Sequence, residues 1–152
     1  MTAVVCAPLA VERRALSGPG SALRVLRTGM GPARAAAAAA AVAGADALIV
    51  AGVGGGLAAS IRPGDLVVAT EVRGRAGSFH SPSAPLLAGA LRRLGLTVHT
   101  GPLHTCGRLL GDAARRRLAE TGAIAVDMES APLAAAAAGR PFVALRAIVI
   151  ED

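Results

Sequence analysis

The stretch Ala47-Leu48-Ile49-Val50-Ala51-Gly52-Val53-Gly54-Gly55-Gly56-Leu57 organises the chain around it. Residues 47–51 are apolar without alternation, the pattern of a strand buried on both faces. Glycine then takes four of the next five positions. A buried strand running at once into glycines predicts a strand followed by a tight turn at its carboxyl end. Ligands of open α/β sheets gather there.

Working outward, strands and helices alternate. Upstream, residues 2–7 read as a valine-rich strand, 11–16 as a short helix and 23–26 as a second strand. Residues 32–43 predict one strong helix, opened by Pro32, filled with alanine and stopped by Gly44. Downstream, residues 65–72 read as a strand and 73–83 as the least structured part, rich in Gly, Ser and Pro. Helices are expected at 84–94, 111–120 and 128–138, and strands at 97–100 and 123–126. Residues 142–150 read as a final apolar strand, long enough and free enough of alternation to lie centrally. The alternation implies one α/β domain over residues 1–152 with a parallel or mixed sheet.

Composition narrows the function classes. At 152 residues and 53% hydrophobic content the chain suits one globular domain with a sizeable core. No apolar run reaches the roughly 18 residues of a membrane span. Residues 1–10 carry no basic residue ahead of their apolar stretch, unlike a secretory signal. Cys6 and Cys106 are too few for a disulfide framework, so a cytoplasmic protein is expected. The net charge of +6 suggests nucleic acid. However, all 16 basic residues are arginine, in a chain also rich in Ala, Gly and Pro, which looks like a GC-rich coding bias. Phe79 and Phe142 are the only aromatic residues, so no base-stacking platform is expected. His80, His99 and His104 have no metal-ligand spacing around them, and neither a metal nor a cofactor is expected.

Three segments carry candidate chemistry. Thr28-Gly29-Met30-Gly31 joins a strand to a helix start, where free N–H groups could meet an anion or a polarised oxygen. The glycines at 52–56 could face the same pocket. Their spacing lacks the dinucleotide pattern followed by a ribose-binding acid, so no nicotinamide cofactor is inferred. Either segment could equally be a tight turn and nothing more. Val126-Asp127-Met128-Glu129-Ser130-Ala131 sits where a strand becomes a helix. Two carboxylates there suit ligand hydroxyls, while helix capping by Asp127 and first-turn placement of Glu129 explain them as well.

Taken together, these segments resemble the purine nucleoside phosphorylase and nucleosidase superfamily, which includes the methylthioadenosine/adenosylhomocysteine nucleosidases. The two glycine segments, Arg62-Pro63-Gly64-Asp65-Leu66-Val67 and the acidic motif all match, along nearly the whole chain. The resemblance implies a three-layer fold with a mixed, mostly parallel central sheet flanked by helices. It implies that Gly29, Gly54, Gly55, Asp127, Met128 and Glu129 bind substrate, with Glu129 on the ribose hydroxyls. Glu12 falls where nucleosidases keep a carboxylate that positions the attacking water. Segments 82–87 and 95–102 suggest the hopanoid-associated branch, thought to remove adenine from adenosylhopane; futalosine hydrolase is a neighbouring possibility.

The likeness also departs from the pattern. Relatives place a purine-protonating aspartate four residues after the arginine that Arg146 matches, but Ile150 stands there and Asp152 lies two residues on. Asp152 is therefore the displaced candidate for the acid. Val53 replaces a serine common in nucleosidases, and the family's final loop and helix do not follow residue 152. This reads as a C-terminally shortened form. The implied chemistry is cleavage of a purine N-glycosidic bond by water or phosphate, with no cofactor. With no following helix to cover the final strand's apolar face, either a homodimer that hides it or a tendency to aggregate is expected. The alternatives are an impaired nucleoside-binding remnant and a small Rossmann-like module for another anion.

Overall fold

The computed structural model describes residues 2–150, the last by its backbone alone. The elements run β1 (Ala3–Ala7), α1 (Ala10–Leu16), β2 (Arg24–Arg27), α2 (Pro32–Ala37), α3 (Ala39–Val42), β3 (Ala47–Gly56) and β4 (Leu66–Gly74). They continue with β5 (Gly77–His80), α4 (Ala84–Arg93), β6 (Val98–Thr105), α5 (Asp112–Glu120), β7 (Ala125–Asp127), α6 (Ser130–Ala136) and β8 (Phe142–Ile150).

One mixed sheet carries all eight strands, flanked by helices. Its path runs β2-β1-β3-β7-β6-β4-β5, and β8 pairs with both β3 and β4. Five pairings are parallel and three antiparallel, so the sheet is mostly parallel as expected. It also closes on itself through β3, β8, β4, β6 and β7, which an open layered sheet would not do.

Four local expectations need correction. The glycines at 52–56 do not turn, because β3 runs through them to Gly56 and pairs with β8 and then β7. The helix at 32–43 breaks at Ala38, whose backbone N–H bonds to both Arg34 and Ala35 carbonyls. Alanine has one propensity wherever it stands, so nothing local marks that break. The stretch at 73–83 contains β5, a hairpin partner of β4. Finally, β8 is not wholly apolar: Arg146 lies at its middle and is fully buried. Among the described residues β8 also leaves little apolar surface uncovered, with Val149 exposed at its end. Phe142, Val143, Ala144 and Ile148 are buried, because β3 and β4 flank the strand and core side chains cover it.

The main core joins β1, β3, β4 and β8 to α6 through Val4, Leu48, Val50, Val67, Ala144, Ile148 and Leu133. Arg140 ties two helix ends together. Its guanidinium donates to the carbonyls of Ala136 and Ala137 at the end of α6, and of Val42, Ala43 and Ala45 after α3. Carbonyls in the last turn of a helix lack the usual intrahelical partner, and Arg140 supplies donors to them.

Candidate functional site

The strand order puts the carboxyl end of β1, the glycines of β3 and the β7–α6 junction around one cavity of about 340 Å³. Glu12, Gly54, Gly55, Asp127, Met128 and Glu129 all line it. Gly29 does not; it serves the chain path instead, with a φ of +85° beside the Arg34 side chain. Asp152 lies outside the described residues.

Glu129 is buried at the start of α6. Its Oε1 accepts the Gly31 N–H at 3.0 Å and its Oε2 accepts from Arg146 Nη2 at 3.2 Å. The free N–H expected at the α2 start is therefore taken by a carboxylate of the protein itself, which disfavours an external anion there. Burial pushes the Glu129 carboxyl above its ordinary pKa, and the charge of Asp127 adds to this. Arg146 and the Gly31 N–H pull it the other way, more weakly.

Asp127 behaves differently. Oδ1 accepts the Thr105 hydroxyl at 2.7 Å, while Oδ2 accepts the Ser130 N–H at 3.1 Å, Arg146 Nη2 at 2.6 Å and the Ser130 hydroxyl. Its side chain has no exposed surface. Four protein hydrogen bonds and no exposed side-chain surface fit the capping reading of Asp127 better than a grip on ligand hydroxyls.

Glu12 projects from the first turn of α1. Its Oε2 accepts the Leu9 N–H at 2.6 Å and its Oε1 the Val53 N–H at 2.8 Å. Gly52 explains how these charges converge. A Cβ at that position would lie 2.6 Å from both Arg146 Nη1 and Glu12 Oε1. The missing side chain thus lets one guanidinium serve Asp127, Glu129 and the Glu12 neighbourhood together. Arg146 Nε has no hydrogen-bond partner among the described residues.

Residues 19–152 match the phosphorylase superfamily. The chain belongs to that superfamily. No curated protein sequence matches it. Among solved structures it is similar to the 5′-methylthioadenosine/S-adenosylhomocysteine nucleosidase of Helicobacter pylori, with a TM-score of 0.85 at 17% identity, covering 99% of this chain and 89% of that one. The S-adenosylhomocysteine nucleosidase of Streptococcus pyogenes gives 0.81 at 19%, over 97% and 83%. A futalosine hydrolase mutant of Helicobacter pylori gives 0.83 at 16%, over 97% and 88%. At these identities the likeness establishes the phosphorylase-superfamily fold.

Sequence reading missed Arg146 as a site residue and used it only as a landmark for counting. One signal could have found it: a single arginine in an otherwise apolar strand must have buried partners, since burying an unpaired charge is costly. Arg115 was missed too. It is buried, lines the cavity and donates to the Gly56 carbonyl. Cys106 also borders the cavity, and burial raises its thiol pKa, so it is not poised as a nucleophile. His99 instead pairs with Asp65 at 2.9 Å. Among the described residues no group of three or more His, Cys, Asp and Glu could hold a metal ion.

Proposed function

We propose that this superfamily member cleaves the N-glycosidic bond of a purine nucleoside. The observation that carries the reading is Glu129, a buried carboxylate on the cavity wall held by the Gly31 N–H and by Arg146. Bond cleavage builds positive charge on the ribose, and a carboxylate fixed against its hydroxyls binds that state more tightly than the ground state. Met128, next in the chain and also on the wall, supplies an apolar surface for the sugar. Glu12 orients the attacking water. The carboxylates of Glu12 and Glu129 on the cavity wall favour water over phosphate, which they would repel. The departing base needs a proton, and Asp152 is the proposed donor.

Three apolar side chains at the rim support the proposed substrate class. Met30 is 55% exposed, Leu109 82% and Val149 54%, and all three line the cavity. An apolar mouth suits a nucleoside with a large apolar 5′ substituent, of which adenosylhopane is the proposed example. A homodimer in the cytoplasm completes the reading.

Base release is measured from a panel of purine nucleosides, with and without phosphate. Hydrolysis without phosphate, faster with an apolar 5′ substituent, is expected. Glu129→Gln is expected to abolish turnover while the fold persists; unchanged turnover would remove the core of the reading. Glu12→Gln is expected to slow hydrolysis much more than it weakens binding, and an obligatory phosphate requirement would refute its role. Nucleoside binding without any turnover would favour the impaired remnant instead.

A further inference from the structure

Residues 13–45 contain five arginines, Arg13, Arg14, Arg24, Arg27 and Arg34, and no acidic residue. The remaining arginines are nearly balanced by the protein's ten acids. All five are exposed. The fold gathers them at one end of the sheet. β2 is the outermost strand and pairs with β1, α1 packs on β2, and α2 follows directly from the carboxyl end of β2. Arg24 and Arg27 stand at the two ends of β2, while Arg13 and Arg14 lie in the last turn of α1. Arg34 lays its stem beside Gly29. Of the two acids that flank this segment in sequence, Glu12 is buried and bound to backbone N–H groups, and the exposed Asp46 accepts the Thr2 N–H. The same edge exposes Val11 by 68% and Leu23 by 49%, together with the Met30 already noted at the cavity rim.

We propose that this edge docks the protein onto an anionic lipid surface. Arginines blunt an exposed edge strand against pairing, which accounts for Arg24 and Arg27. It does not account for Arg13, Arg14 and Arg34 on the flanking helices, or for exposed aliphatic side chains among them. A lipid interface takes both kinds of group: guanidinium heads meet phosphates while aliphatic side chains enter the boundary of the acyl region. A nucleic acid would use the arginines and leave Val11 and Leu23 without a role. A second copy of the same edge would bring five positive charges against five. Met30 belongs both to this edge and to the cavity wall, so docking brings that side of the cavity close to the lipid. The proposal does not depend on glycosidic chemistry, and its failure would leave that reading standing.

The test is co-sedimentation of the full chain with phosphatidylcholine vesicles, with and without phosphatidylglycerol, at low and high salt. Binding only to the anionic vesicles, lost at high salt, is expected. Arg13→Glu, Arg24→Glu and Arg27→Glu combined are expected to lower partitioning by at least about tenfold. The control Arg93→Glu, Arg116→Glu and Arg117→Glu makes the same change in net charge on other elements and is expected to retain binding. Thermal melts confirm that each variant folds; if the triple change does not fold, Arg13→Glu with Arg14→Glu on exposed α1 replaces it. Val11→Ser with Leu23→Ser is expected to weaken vesicle binding severalfold. No binding to anionic vesicles at low salt, or equal loss in edge and control variants, overturns the proposal. So does tight binding of an RNA oligonucleotide that the Val11→Ser, Leu23→Ser variant leaves unchanged.

Discussion

The two glycine-bearing segments, residues 28–31 and 52–56, look alike in sequence and meet different physical demands. In the first, Gly29 and Gly31 take φ values of +85° and +97°, where a side chain strains the backbone. A Cβ on Gly31 would meet nothing within 4 Å. In the second, Gly52, Gly54, Gly55 and Gly56 keep extended strand backbone that any residue could adopt. There the limit is space: the Val126 carbonyl lies 2.9 Å from a Cβ on Gly54, and the tips of Arg146 and Glu12 lie 2.6 Å from one on Gly52. One segment uses glycine to bend the chain, the other to let charged groups and a neighbouring backbone come close. Glycine richness by itself therefore says that a side chain is unwelcome, without saying why.

The contrast can be broken by substitution. Gly52→Ala is expected to have the largest effect, on activity more than stability. Its Cβ would push apart Arg146 and Glu12, and misplacing site groups by about 1 Å costs on the order of 10²-fold in kcat/KM. A steady-state assay beside a thermal melt separates the two effects, and wild-type kinetics in this variant would mean that the convergence at Gly52 is incidental. Gly54→Ala should act mainly on stability, because a strand carbonyl cannot retreat as a side-chain tip can; a loss of about 1–3 kcal/mol is expected in denaturant unfolding. Gly31→Ala, at φ +97° and ψ 160° in a region that essentially only glycine adopts, should cost about 1–3 kcal/mol from backbone strain alone. A negligible loss in denaturant unfolding would erase the distinction between the segments. The smallest effect runs the other way. Ala138 sits at φ +50° just past the end of α6, in the conformation glycine favours there. Ala138→Gly is expected to stabilise by about 0.5 kcal/mol.

Much of the fold was legible because apolar periodicity and helix punctuation are local. β1, α1, α4, α5 and β8 fall within a residue or two of their expected bounds, and the central place of β8 followed from its length and lack of alternation. What failed was non-local. β3 extends through its glycines because β7 and β8 supply ladder partners, and β5 exists because β4 pairs with it. In the site, the motif at 126–131 marked the right junction. Its two carboxylates could not be told apart in sequence, since what separates them is the direction each faces. Asp127 turns to Thr105, Ser130 and Arg146, whereas Glu129 bridges Gly31 and Arg146 on the cavity wall.

The amino-acid sequence by itself determined the α/β class, the superfamily and two of the segments that line the cavity, residues 52–56 and 126–131, because these rest on patterns within short windows of chain. Only the tertiary structure decided how the charges are shared. Arg146 lies 17 residues from Glu129, 19 from Asp127 and 93 from Val53, yet it hydrogen-bonds to all three. A buried guanidinium is stable only where the fold delivers enough acceptors to it, and no local pattern records where those acceptors come from.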